Sequence, residues 1–238
     1  MYAFDSRVRY SECDGSGRLS LVSLIDYFQD CSTFQSQELG RGLASLSPRG
    51  LAWALTSWHI EVEELPAFGA PVTASTWCYE MTRAHARRNF LLSTADGRTL
   101  ARADSQWAVF DVVRGRATRV PEDQLVYCTG EDPLDMEPPE RRLRPEGTGT
   151  PCPELVVRPH SIDTNGHVNN AQYVLFAELA LEGLGLRAPT GRVDVNYRAM
   201  ARLGDVVTPV VYPSGPGWVV DLTAPNGASF ALVRFRDR

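Results

Sequence analysis

Three side chains suited to proton transfer lie close together in the sequence: Asp163, Asn165 and His167. An imidazole titrates near neutrality and suits general acid or base chemistry. The carboxylate of Asp163, four residues before His167, can orient that imidazole, or act itself as base or nucleophile on a carbonyl. An amide can hold a water molecule or a carbonyl oxygen. The alternative is a loop whose polar groups only satisfy the end of a helix.

The residues after this stretch predict a helix over 168–185. Gly166 allows a tight bend, and Asn169 or Asn170 can cap the helix. Backbone N–H groups at its first turn are therefore candidates to bind a developing negative charge. The apolar residues at helical spacing are Tyr173, Phe176, Ala177, Ala180, Leu181 and Leu184.

The stretch from Asp163 to Tyr173 has the pattern Asp-x-Asn-x-His-Val-Asn-Asn-x-x-Tyr. This pattern resembles the active-site signature of acyl-ACP thioesterases, the double hot-dog enzymes of plant plastids and many bacteria. The resemblance implies catalytic roles for Asp163, Asn165 and His167, and hydrolysis of fatty acyl-acyl carrier protein to free fatty acid. Other segments similar to bacterial members are Val8–Asp14, Tyr27–Asp30, Ala52–Trp53, Arg88–Phe90 and Arg119–Pro121.

One position departs from the pattern of the family. The resemblance implies a catalytic glutamate shortly after a strand that ends in Tyr-Arg, and Met200 stands there. A thioether cannot take a proton or orient water by charge, so three alternatives stay open: the site relies on Asp163 as its carboxylate, its activity is weak, or another acid substitutes. Among the other carboxylates, Glu178 is expected to be solvated on its helix, and Asp194 is a weaker candidate.

Two alternative functions follow from the same residues. The stretch also resembles acyl-CoA thioesterases of the 4-hydroxybenzoyl-CoA type, single hot-dog enzymes in which the equivalent of Asp163 carries the chemistry, and that resemblance accommodates Met200. A non-catalytic acyl- or carrier-binding hot-dog protein is the alternative from a different class. The intact set of Asp163, Asn165 and His167 argues against such a loss of catalysis.

The chain contains an internal repeat in which strand, helix and further strands occur twice. We predict an α+β fold of two tandem hot-dog repeats, each an antiparallel sheet wrapped around one long helix. Residues 1–127 form the first repeat, 154–238 the second, and the proline- and glycine-rich segment 128–153 a linker. The hairpin turns Asp96-Gly97 and Asn226-Gly227 support this pattern.

The two copies differ where chemistry would occur. Asp14 keeps the place of Asp163, but Ser16 replaces the asparagine and Arg18 replaces the histidine. We therefore predict that the second repeat is catalytic and that the first, without an imidazole, shapes the acyl pocket.

Composition limits the partners and the compartment. The net charge of −5 gives no sign of nucleic acid or membrane binding. The five cysteines show neither zinc-site nor disulfide spacing, and no phosphate-binding or dinucleotide motif is present, so we expect no metal and no cofactor. The start of the sequence shows no apolar signal region, which predicts a cytoplasmic protein. We expect a monomer or a homodimer.

The expected partner is an acyl carrier protein with a phosphopantetheine-linked acyl chain, and this acidic protein requires a basic docking face. Two arginine clusters could supply it, or could be ordinary solvated surface: Arg83, Arg87 and Arg88, and Arg141, Arg142 and Arg144. Four aromatic residues could line the acyl slot, although core packing is the favoured role for each: Phe28, Trp53, Trp58 and Trp107.

Overall fold

A computed structural model describes residues 1–138, 140 and 142–237 of the chain. The chain divides into two compact units. The first contains Met1–Trp58 and Val62–Glu137, and the second contains His59–Glu61 and Pro138–Arg238. The division after Glu137 lies inside the predicted linker 128–153, while the predicted domain limits at 127 and 154 stay a prediction.

The first unit is an antiparallel sheet with one long helix. Its sheet runs in the order β1, β3, β4, β5 and β2, with β6 beside β5. The strands and helices are β1 (Tyr2–Arg7), α1 (Leu21–Glu38), α2 (Leu43–Leu46), β2 (Leu51–Val62), β3 (Pro71–Met81), β4 (Ala86–Thr94), β5 (Thr99–Asp111) and β6 (Arg116–Thr118).

Helix α1 forms the core of the first unit. Ser20 caps it, because its side chain accepts a hydrogen bond from the N–H of Ser23 at 3.1 Å. The buried face of the helix packs against β1, β3 and β4. Its buried residues recur at helical spacing: Leu21, Leu24, Ile25, Tyr27, Phe28 and Cys31.

The second unit repeats this arrangement. Its sheet runs in the order β9, β12, β11, β10 and β7, with β8 also paired to β10, and α3 packs against β10, β11 and β12. The elements are β7 (Thr150–Pro151), β8 (Leu155–Val156), α3 (Asn170–Gly183), β9 (Arg192–Tyr197), β10 (Val206–Ser214), β11 (Gly217–Thr223) and β12 (Ser229–Arg236). The predicted α+β class, with one long helix on an antiparallel sheet in each repeat, is confirmed.

The loop before the long helix has the same backbone hydrogen bonds in both units. The N–H of Asp14 donates to the carbonyl of Arg18 at 2.8 Å, and the N–H of Asp163 donates to the carbonyl of His167 at 2.8 Å. The residue that follows each loop donates its N–H to a carbonyl in a connection between two strands. Leu19 donates to Pro66, between β2 and β3, and Val168 donates to Ala201, between β9 and β10. The internal repeat predicted from sequence is confirmed at the level of single hydrogen bonds.

None of the described helices has the length and hydrophobicity that crossing a membrane requires.

Candidate active site

Asp163 organises the loop that carries the predicted site. Its Oδ1 atom accepts hydrogen bonds from the backbone N–H of Asn165 at 2.8 Å and of His167 at 3.4 Å. Its Oδ2 atom accepts from Nδ2 of Asn165 at 3.3 Å. Gly166 has φ +77°, a conformation that glycine adopts without strain. The structure therefore brings the Asp163 carboxylate and the Asn165 amide together.

Two N–H groups in the first turn of α3, those of Ala171 and Gln172, already have acceptors. Asn169 is the cap, and its side chain accepts from the N–H of Ala171 at 2.8 Å. The Asn169 carbonyl accepts from the N–H of Gln172 at 3.0 Å. The prediction that first-turn N–H groups bind a developing oxyanion is wrong for these two residues, because Asn169 already accepts both hydrogen bonds.

The His167 side chain is half-buried, and its ring makes no hydrogen bond within the described residues. Asp163 is hydrogen-bonded to the backbone N–H of His167 and not to its imidazole. Of the roles that the sequence left open for Asp163, orientation of the imidazole finds no support in this geometry, and direct action of the carboxylate becomes the stronger alternative.

Tyr173 links α3 to the segment after β9. Its hydroxyl accepts a hydrogen bond from the N–H of Ala201 at 2.9 Å, and the carbonyl of Ala201 accepts from the N–H of Val168 at 2.9 Å. Burial raises the pKa of Tyr173 to about 12, so the hydroxyl stays neutral. The sequence places Tyr173 on the apolar face of the helix and does not predict this link, because a buried tyrosine needs a partner that only the fold identifies.

Met200 lies next to this link. It directly precedes Ala201, and its side chain is 46% exposed. The position at which the resemblance expects a glutamate is therefore beside the candidate loop and open to solvent, but it supplies no carboxylate.

The other two carboxylates, Asp194 and Glu178, differ in their surroundings. Asp194 is buried on β9 and bonds to His59 at 2.6 Å and to Arg234 at 3.0 and 2.8 Å. Glu178 is half-buried on α3, so its side chain is partly solvated, and its expected place outside the catalytic set stays a prediction. Within the described part of the chain, no three His, Cys, Asp or Glu side chains are placed to hold a metal ion.

The equivalent loop of the first unit keeps the carboxylate geometry without the imidazole. Oδ1 of Asp14 accepts from the N–H of Ser16 at 2.8 Å, from its hydroxyl at 2.6 Å and from the N–H of Arg18 at 3.3 Å. The hydroxyl of Ser16 contributes most to lowering the pKa of Asp14. Arg18 extends away to donate to the carbonyl of Leu65 at 2.7 Å. The loops of Asp14 and Asp163 therefore have the same backbone hydrogen bonds and differ in the side chains at the positions of Asn165 and His167.

The first arginine cluster is not a surface patch. Arg87 is ion-paired with Asp104, and Arg88 is only 7% exposed. Successive residues of a strand face opposite sides, so three arginines near one another in sequence do not form one face. Arg83 alone of this cluster is exposed.

In the second cluster, Arg141 lies outside the described residues, while Arg142 and Arg144 are exposed. These two remain available as part of a basic docking face.

Two of the four aromatic residues belong to the core of the first unit. The rings of Phe28 and Trp58 lie 6.0 Å apart between centroids, and Phe90 lies 5.4 Å from Phe28 and 4.9 Å from Trp58. Core packing is thus confirmed for Phe28 and Trp58. Trp53 and Trp107 are half-buried.

Comparison with family models decides the family. Residues 1–127 match the model of the acyl-ACP thioesterase N-terminal domain, and residues 150–222 match that of the C-terminal domain. The chain belongs to the acyl-ACP thioesterase family. An acyl-[acyl-carrier-protein] hydrolase of Cuphea viscosissima, a chloroplastic protein, is 27% identical over 235 residues, which cover 90% of this chain and 57% of the relative. The chain spans about half the length of the curated relatives it matches.

Solved structures agree on the fold. A protein of Lactobacillus plantarum, provisionally named an oleoyl thioesterase, has a TM-score of 0.88 at 26% identity, covering 98% of this chain and 94% of its own. An acyl-ACP thioesterase of Bacteroides thetaiotaomicron has a TM-score of 0.85 at 23% identity, covering 98% and 96%. With one long helix on an antiparallel sheet in each unit, this chain is a tandem hot-dog protein.

Proposed function

We propose that this protein hydrolyses the thioester of fatty acyl-acyl carrier protein and releases free fatty acid and carrier protein. The observation that carries the proposal is the second-unit loop of a chain of this family. In that loop Asp163 and Asn165 are hydrogen-bonded, and no described residue is hydrogen-bonded to the ring of His167. The corresponding loop of the first unit has Ser16 and Arg18 instead and is assigned no chemistry.

The reaction adds water across the bond between the acyl carbon and sulfur. In our proposal the Asp163 carboxylate is the base that takes a proton from the attacking water, or the nucleophile that forms an acyl intermediate which water then hydrolyses. Asn165 orients that carboxylate through its amide N–H. His167 supplies the proton that the leaving thiolate of the phosphopantetheine needs. Each turnover then consumes one water and yields a fatty acid and a thiol.

Recognition of the carrier protein belongs to the same proposal. Acyl carrier protein is acidic and requires positive charge on its partner. Arg142 and Arg144 are exposed and support a docking face in the segment that precedes β7. A cytoplasmic location and the state of monomer or homodimer remain predictions from the sequence.

His167→Ala tests the proposed role of the imidazole. We expect wild-type protein to release fatty acid from acyl-ACP, and His167→Ala to lower kcat by about 100-fold or more, the usual contribution of a positioned acid or base. Free fatty acid is measured by mass spectrometry, and thermal unfolding checks that the variant is folded. Unchanged hydrolysis by a folded His167→Ala variant would remove His167 from the mechanism.

Met200→Glu tests whether the missing glutamate limits the reaction. Because Asp163 is the proposed working carboxylate, adding a second one at the half-exposed position 200 should change kcat far less than removal of the Asp163 charge does. Met200→Gln, which has the same shape and no charge, is the matched control. A rise of about tenfold or more in Met200→Glu alone would show that the native site lacks an acid it can use.

The acyl-CoA thioesterase of the 4-hydroxybenzoyl-CoA type remains the second candidate function. Two observations favour it: Met200 stands where the carrier-protein enzymes are expected to have a glutamate, and Asp163 makes no hydrogen bond to the imidazole within the described residues. Both candidates assign the chemistry to the same loop and differ in the carrier.

A further inference from the structure

An arginine interrupts the apolar inner row of β4. Alternate residues of this strand face the helix, and Ala86, Phe90 and Leu92 are all buried on that side. Arg88 stands in the same row and is 7% exposed. Its Nη1 atom donates to Oε1 of Gln35 on α1 at 2.5 Å, so the guanidinium points at the helix.

No carboxylate of the described residues pairs with this buried cation. Its polar contacts are the Gln35 amide and Oγ1 of Thr76 at 3.1 Å, and its guanidinium carbon lies 5.3 Å from the centroid of the Tyr127 ring. The neighbouring Arg87, in contrast, is ion-paired with Asp104. A buried charge without a counter-charge costs free energy, and such groups are candidates for functional sites.

The acidic groups around Arg88 are neutral. Burial raises the pKa of Cys31 and of Cys78 to about 12, and burial also raises the pKa of the Tyr127 phenol. These groups therefore stay protonated at neutral pH. Burial lowers the pKa of Arg88, but a guanidinium keeps its proton at neutral pH. The positive charge of Arg88 has no compensation among these neighbours.

Two nitrogen atoms of the Arg88 guanidinium do not donate a hydrogen bond to any described residue. Nε and Nη2 of Arg88 donate no hydrogen bond within the described residues, and neither is a fully buried atom. An arginine fork of this kind matches the two oxygens of a carboxylate.

The surroundings of Arg88 are apolar. Cys78 pairs with it across the sheet, and Cys78 packs in one cluster with Ala86 and Tyr127. Half-buried residues complete this cluster: Trp53, Met81, Trp107 and Cys128. A ligand that fits both features has a negative head and an apolar body, because the head compensates the charge while the body contacts the aromatic and thioether side chains.

We propose that Arg88 is the anion receptor of an internal ligand site in the first unit, which binds the carboxylate of a free fatty acid. The role as a product-binding site rests on the proposed function, since hydrolysis of a fatty acyl thioester generates this carboxylate. Binding itself does not depend on hydrolysis. The first unit, which lacks the imidazole, thereby acquires a role in retaining or sensing the released acid.

Calorimetric titration of the full chain with decanoate and with decanol tests the proposal without a thioester. Wild-type protein should bind decanoate about ten- to hundred-fold more tightly than decanol, because a charge-assisted pair adds to the same apolar tail. Equal affinities for the acid and the alcohol would overturn the proposal. This comparison requires no variant, and its failure leaves the hydrolysis proposal intact.

Arg88→Met assigns the preference to one residue. The substitution should abolish the preference for decanoate over decanol while affinity for decanol is kept, and the exposed Arg83→Met, with the same charge change, should retain it. An unchanged preference in Arg88→Met would overturn the assignment. Acetate serves as the head group alone, and acetate that displaced decanoate at equal concentration would make this a site for small anions instead.

Discussion

Asp163→Asn should abolish most of the thioesterase activity, whereas Asp14→Asn should leave it unchanged. An asparagine keeps one oxygen to accept the N–H groups of residues 165 and 167, so the loop stays closed while the charge is lost. Loss of a working base costs about 10²–10⁴-fold in rate. The kcat of each variant on the same acyl-ACP substrate is the measurement.

Asp14→Asn is an unusually close control. Asp14 accepts the same pair of backbone N–H groups in its own loop, from Ser16 at 2.8 Å and from Arg18 at 3.3 Å. The two substitutions therefore disturb equivalent loops to a similar degree. Equal losses of activity in both would mean that loop stability, and not the charge of Asp163, supports hydrolysis.

Asp194→Ala should be the most destabilising single substitution among the carboxylates considered. Asp194 is 4% exposed and bonds to His59 and to Arg234, with Arg236 at 3.3 Å. Removing one partner leaves buried charges uncompensated, which costs about 3–5 kcal/mol of the free energy of unfolding. Urea unfolding followed by circular dichroism measures this loss.

The control for that experiment is Asp221→Ala. Asp221 is half-buried in the same unit, and it accepts a hydrogen bond from the neutral hydroxyl of Ser229 at 2.6 Å. Within the described residues its removal leaves no buried cation without a partner, so a loss of about 1 kcal/mol is expected. Similar losses for Asp194→Ala and Asp221→Ala would contradict the idea that the charges around Asp194 stabilise the fold.

The pKa of Asp194 predicts how acid changes the free energy of unfolding. Burial raises the pKa of Asp194, but the hydrogen bond with His59 and the charge of Arg234 outweigh it and lower the pKa to about 2. Since the folded-state pKa lies below the unfolded value, the stabilisation is present above about pH 4 and is lost as the pH falls to about 2. The wild-type protein should lose about 2 kcal/mol over this interval that Asp194→Ala does not lose.

Local features of the fold and the site were predictable from sequence. The loop of Asp163 and the start of α3 follow from turn and cap chemistry within a few residues, with Gly166 at positive φ and Asn169 as cap. The repeat was visible because strand, helix and further strands occur twice, with Asp14 at the place of Asp163. Turns and helix caps depend on residues that are close in sequence, so the sequence alone is enough to predict them.

Features that depend on distant partners were not predictable. Asp194 was considered for the site, but its partner Arg234 lies 40 residues away and is brought to it by strand pairing of β9 with β12. Arg88 was assigned to a surface cluster, because the sequence does not show which side of β4 faces the helix. The relation of His167 to Asp163 depends on side-chain direction, which spacing alone leaves open.

A competition between two carriers tests the central claim most directly. Wild-type protein is given equal amounts of dodecanoyl-acyl carrier protein and dodecanoyl-CoA, and the loss of each thioester is followed in the same reaction. The proposed function predicts a kcat/KM at least about tenfold higher for the carrier-protein substrate, because that carrier adds an acidic protein surface to the contacts and CoA has no such surface. A preference for dodecanoyl-CoA would contradict it and favour the acyl-CoA enzyme, and binding of the carrier-protein substrate without turnover of either thioester would contradict catalysis altogether.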